Sequence, residues 1–129
     1  MGATTLQNTL ARAREENRAA LIGYMPAGFP DIDSSIKVIE AMVRGGCDVV
    51  EVGLPYSDPM MDGPTIQRAA DRALEAGTTT DDVFRVVEAT AATGAAALVM
   101  SYWNPIERYG VERFATELAK AGGAGVITP

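Results

Sequence analysis

The chain contains no histidine among its 129 residues, and that absence removes several function classes at once. Without imidazole there is no histidine-based catalytic triad, and most zinc sites lose a principal ligand. Cysteine is almost as scarce. Cys47 stands alone, so no internal disulfide can form, which fits a reducing compartment and makes the cytoplasm the expected location. Set between Gly46 and Asp48 just ahead of an apolar run, it reads as a small buried filler. No apolar run approaches the roughly 20 residues that cross a bilayer, and the polar opening from Met1 to Glu16 has no signal-peptide core. Positive charge is in deficit: 11 Lys and Arg against 17 Asp and Glu give a net charge of −6. The basic residues are scattered, which excludes bulk attraction to nucleic acid or to an anionic membrane.

What is present is an ordinary globular composition, 47% apolar and 22% charged, sized for a single domain over residues 1–129. Leu6, Leu10 and Ala13 share one face of a helix from about Leu6 to Asn17, and Ala19 to Tyr24 is a continuous apolar run expected to form a buried strand. Pro26, Gly28 and Pro30 break the chain, and Asp31 or Asp33 can cap a helix carrying Ile36, Ile39 and Val43. A strand is expected over Asp48 to Gly53, a helix from Pro64 towards Gly77, and another from Thr80 or Asp81 to Ala91. Ala96 to Met100 reads as the third strand, Trp103-Asn104-Pro105 as a loop, Val111 to Lys120 as a helix and Gly125 to Thr128 as the fourth strand.

Strands alternating with helices predict a parallel sheet covered by helices. The unit helix, Gly-Gly, apolar strand, Pro occurs at Gly45-Gly46…Pro55 and again at Gly122-Gly123…Pro129. No strand is followed by a dinucleotide fingerprint or a phosphate loop, so a (β/α) barrel is preferred to a doubly wound nucleotide fold. Eight βα units take about 250 residues. The four strands here predict the first half of a (β/α)8 TIM barrel, an α/β half-barrel. Such a half leaves two sheet edges and the inner face uncovered, so either self-association or membership of a longer parent is expected.

Glu51 interrupts the apolar strand Val49-Val50-Glu51-Val52-Gly53, and Asp62 ends the long loop that follows. Alternation puts Val49, Glu51 and Gly53 on one face and Val50 and Val52 on the other. The all-valine face suits the helices, which turns Glu51 towards the barrel axis, where barrel enzymes keep catalytic groups. Burial would raise its pKa and keep a proton available near neutrality. The structural alternative is a Glu paired with a buried Arg or Lys. For Asp62 the alternative is a cap on the next helix, and Asp58, ahead of Pro59, reads as a turn residue. Tyr102 and Asn104 at the end of the third strand can meet a ligand or simply pack and turn. Tyr24 can line a pocket or fill the core, and Met60 and Met61 can meet a partner or pack the loop.

Three stretches carry a long resemblance: Tyr24-Met25-Pro26-Ala27-Gly28-Phe29-Pro30-Asp31, Asp48-Val49-Val50-Glu51-Val52-Gly53-Leu54-Pro55-Tyr56-Ser57-Asp58-Pro59, and Asp62-Gly63-Pro64-Thr65-Ile66-Gln67. With Ser101-Tyr102-Trp103-Asn104-Pro105-Ile106, Tyr109-Gly110 and Ala121-Gly122-Gly123-Ala124-Gly125, they resemble the tryptophan synthase alpha chain from about Ala19 to Pro129. The resemblance implies a (β/α)8 barrel that cleaves indole-3-glycerol phosphate to indole and glyceraldehyde 3-phosphate, a retro-aldol reaction without cofactor. By motif, Glu51 matches the general acid–base residue and Asp62 the carboxylate that holds the indole N–H. Tyr24, Met100, Tyr102, Ile127 and Pro129 match positions lining the indole pocket. The loop Leu54 to Met61 matches the segment facing the tryptophan synthase beta chain in an alpha2-beta2 heterotetramer. In that family the glycine-rich phosphate-binding loops lie in the second half, so this chain by itself is expected to be inactive.

Two other classes compete. One is a non-catalytic fragment docking on the beta chain. The other is a different phosphate-binding barrel enzyme, but Schiff-base aldolases need a strand lysine, and Lys37 and Lys120 both fall on expected helices. Metal-dependent epimerases usually call on histidine ligands.

Overall fold

The computed structural model describes residues 2–129; Met1, the first residue of the polar opening segment, lies outside them. Four parallel strands form one sheet in the order β1-β2-β3-β4. They are β1 (Ile22–Pro26), β2 (Val49–Gly53), β3 (Ala96–Met100) and β4 (Gly125–Ile127). The helices are α1 (Gly2–Glu15), α2 (Ile32–Arg44), α3 (Pro64–Glu75), α4 (Thr80–Ala92), α5 (Trp103–Tyr109) and α6 (Val111–Lys120). β1 and β4 are the two edges, so the arrangement is four βα units of a barrel with an open inner face. Among the described residues no helix is long and apolar enough to cross a membrane.

The two faces of β2 separate as alternation requires. Val50 and Val52 are fully buried in a core with Ile39 of α2, Val83, Val86 and Val87 of α4, and Ala97 and Val99 of β3. Phe114 of α6 and Phe84 of α4 extend this layer edge to face, with ring centres 5.1 Å apart. Cys47 is part-buried against the same cluster, as a filler would be. α1 packs against β3. The strand bottoms Val49 and Ala96 are fully buried, while Glu51 and Leu98, one row higher, are only half-buried.

Several boundaries differ from the sequence reading, each for a local reason. β1 starts at Ile22, not Ala19. The residues before it carry a clasp: Asp48 accepts from both Arg18 Nη1 and Nη2 at 3.0 Å and from the Leu21 N–H at 2.8 Å. Asp31, not Asp33, caps α2, accepting from the Ser34 N–H at 2.8 Å. α4 starts at Thr80, the earlier of the two expected positions, and is capped by Thr79, which forms a reciprocal capping box with Asp82. Residues 103–109 form helix α5 rather than a loop, because Pro105 lies in its first turn, where the missing N–H has no helical partner to lose. β4 ends at Ile127, before Thr128.

The clasp gives a pH prediction. Hydrogen bonds from Arg18, then from the Leu21 N–H, hold the Asp48 carboxyl below its ordinary value. A depressed carboxyl contributes stability above its unfolded pKa, about 3.9, and loses that contribution as pH falls through its folded value. Asp48→Asn should therefore lower the urea midpoint at pH 7. The gap from the parent chain should close on acidification through and below pH ~4. A gap that is constant from pH 7 to pH ~3 would contradict the assignment.

Candidate active site

The strand register fixes what faces the open side of the sheet. Tyr24, Glu51, Leu98 and Gly125 form one row, and Pro26, Gly53, Met100 and Ile127 form the row nearest the carboxyl ends. Glu51 therefore sits beside Tyr24 on the inner face, one row below the mouth. The described ion pairs join Arg18 to Glu16 and Asp48, Arg85 to Asp82, and Lys120 to Glu117. None of them involves Glu51, so the reading of a structurally paired glutamate is not realised. Lys37 and Lys120 lie on α2 and α6, leaving no strand lysine.

Gly53 makes room for Tyr24. A Cβ at Gly53 would collide with the Tyr24 hydroxyl and stand 2.6 Å from Cζ, so the tyrosine ring lies directly over this glycine. Burial, then the charges of Asp62 and Glu51 and the neighbouring Tyr102, push the Tyr24 phenol up to about 12. It stays neutral at any working pH, and the same influences put Tyr24, Glu51, Asp62 and Tyr102 in one electrostatic neighbourhood. Sequence reasoning missed the role of Gly53. Its signal was a residue without a side chain two places after Glu51, on the same face.

The loop after β2 is tied back to the end of β3. The Leu54 N–H donates to the Met100 carbonyl at 3.0 Å. Tyr102 accepts from the Met61 N–H at 2.9 Å and donates to Asp62 Oδ1 at 3.1 Å. Asn104 Nδ2 donates to the Tyr56 hydroxyl at 3.0 Å, and the Tyr56 and Tyr102 rings lie 5.7 Å apart. Asp62 does not cap α3: its N-cap is Gly63, without a side-chain cap bond. The structure thus brings Asp62 and Tyr102 to the carboxyl ends of the strands that carry Glu51 and Tyr24. Met100 is half-buried beside Gly53, Ile127 is 37% exposed next to it, and Pro129 is exposed beyond β4. Among the described residues no three His, Cys, Asp or Glu side chains converge to hold a metal ion.

Residues 10–129 match the family model for the tryptophan synthase alpha chain. The tryptophan synthase alpha chain of Thermobifida fusca is 70% identical over 126 residues, covering 98% of this chain and 47% of the relative. That of Nocardia farcinica is 66% identical over 124 residues, 96% of this chain and 47% of the relative. Tryptophan synthase from Mycobacterium tuberculosis superposes with a TM-score of 0.94 at 53% identity, over 96% of this chain and 48% of that one. The alpha subunit from Legionella pneumophila superposes with a TM-score of 0.91 at 36% identity, over 96% and 48%. The chain spans about half the length of the relatives it matches. A four-stranded parallel half-barrel, matched along nearly its whole length, belongs to the tryptophan synthase alpha chain family.

Proposed function

We propose that this chain carries the acid–base half of a carbon–carbon lyase site that cleaves indole-3-glycerol phosphate to indole and glyceraldehyde 3-phosphate. The carrying observation is that Asp62, bonded to Tyr102, and Glu51, unpaired on the inner face of β2, belong to one strand-end mouth. Protonating indole C3 while it still carries the side chain makes a cationic indolenine. Breaking the bond from C3 to the side chain then returns its electrons to the ring as the C2=C3 double bond of neutral indole, while the side-chain hydroxyl gives up its proton and becomes the aldehyde carbonyl. A proton donor on the C3 side and a fixed carboxylate near N1 are therefore both required. Glu51 supplies the proton and takes one from the side-chain hydroxyl as the carbonyl of the aldehyde forms; Asp62 accepts from the indole N–H. Tyr24, Met100, Tyr102 and Ile127 supply the walls of the indole pocket, with Pro129 beyond the strand end.

The phosphate-binding loops of the family belong to its second half, so the isolated chain should release no indole from this substrate. Joined through Pro129 to the second half of the Thermobifida fusca relative, it should. A fused, folded and monodisperse chain that releases no indole would overturn the reading, and so would full turnover by the 129-residue chain alone.

The loop Leu54 to Met61 is the proposed contact with a tryptophan synthase beta chain, as part of a heterotetramer. Met60 and Met61 are 88% and 71% exposed and Trp103 is 53% exposed. Exposed, adaptable thioethers suit a partner surface better than solvent. Replacing Met60 and Met61 together with serine should weaken capture by beta chain roughly tenfold or more, as loss of apolar anchors does. Unchanged capture would place the contact elsewhere.

A further inference from the structure

We infer that Tyr102 is the positioning residue for Asp62, acting through its hydroxyl rather than its ring. The inference rests on the lyase reading and adds to it how the loop carboxylate is aimed. One oxygen secures both sides of the loop's end: it accepts from the Met61 N–H and donates to Asp62 Oδ1. A phenol has one proton to give, so its donation to the carboxylate is fixed by its acceptance from the amide. Asp62 Oδ2 accepts from no described group and is left for a ligand N–H.

The support behind that oxygen is rigid. Ser101, fully buried, donates its hydroxyl to the Tyr102 carbonyl at 2.7 Å and its N–H to the Ile127 carbonyl at 3.0 Å. The Tyr102 ring lies against Tyr56, whose hydroxyl is itself held by Asn104. Gln67 Nε2 also donates to the Asp62 carbonyl at 2.6 Å, but that bond holds the backbone; the described side-chain bond to the carboxylate is the one from Tyr102. The loop's methionines face solvent, and the helix after it takes no cap from Asp62. The direction of the carboxylate thus passes from the buried end of β3, through one phenol, to the loop.

The test is Tyr102→Phe, which keeps the ring and removes the oxygen, beside Tyr102→Leu, which removes both. In the 129-residue chain, amide exchange at Met61 should speed up at least about tenfold in Tyr102→Phe, with core amides of β2 and β3 unchanged. In the fused chain, Tyr102→Phe should lower kcat roughly tenfold to a hundredfold with KM within about twofold, because the aimed charge matters most as positive charge develops at N1. Met61 exchange equal to wild type would overturn the inference, and so would faster exchange with kcat unchanged. A Tyr102→Phe chain that behaves as wild type while Tyr102→Leu fails would assign the residue to packing alone, which also overturns it. A silent wild-type fusion counts against the lyase reading, and Met61 exchange then still decides whether the hydroxyl holds the loop.

Discussion

Glu51→Gln in the fused chain should lower kcat for indole release by roughly 10²–10⁴, the span that a positioned general acid–base group contributes. Glutamine keeps the shape and the hydrogen-bonding reach of the side chain but cannot pass a proton. KM should move little, since substrate binding rests on the pocket walls and the phosphate loops. No described ion pair depends on Glu51, so folding should be unaffected and the urea midpoint should match the parent. That combination separates a chemical residue from a structural one. A loss of stability equal to the loss of rate would mean that the glutamate holds the sheet together. Asp62→Asn is the companion variant. It keeps an acceptor near N1 but removes the charge, and should cost about 10²–10³ in kcat, as losing one preorganised electrostatic partner does.

The alternation in Val49-Val50-Glu51-Val52-Gly53 was enough to turn Glu51 inward, because a strand has only two faces and the helices claim the valine one. Parallel pairing also followed from pattern, since buried apolar strands separated by helices have few other arrangements. The link between Asp62 and Tyr102 was not legible. It joins residues 40 positions apart through a side chain, and nothing in local spacing distinguishes it from the helix cap that Asp62 could equally have formed. The same limit applies to Tyr24 over Gly53 and to Asn104 on Tyr56. Helix α5 was missed for a different reason: a proline normally marks a break, yet one in the first turn of a helix breaks nothing.

Gly28→Ala should be the most destabilising small substitution outside the core, because two independent penalties meet at that position. Gly28 has φ +86, a left-handed conformation that a side chain resists at a cost of about 1–3 kcal/mol. A Cβ there would also collide with Thr78 Oγ1 and stand 2.9 Å from Thr78 Cβ, in the link between α3 and α4. Overpacking of that kind costs a further 1–3 kcal/mol or so. Rotating the threonine clears the hydroxyl but not its Cβ, and the link is held by the Thr78 N–H donating to the Ala73 carbonyl at 3.1 Å. The Gly28 N–H donates to buried Ser35 Oγ at 3.1 Å, so the glycine cannot easily swing away. Together these are a large part of the roughly 5–15 kcal/mol that holds a domain folded. Urea denaturation should show the loss, and a double-mutant cycle should divide it. Adding Thr78→Gly to Gly28→Ala removes the collision but leaves the backbone strain, so the pair should recover about 1–3 kcal/mol relative to the sum of the two single losses. No recovery would mean that φ alone excludes a side chain at position 28. A Gly28→Ala chain within about 0.5 kcal/mol of the parent would mean that the turn between β1 and α2 yields where the geometry says it is held from both sides.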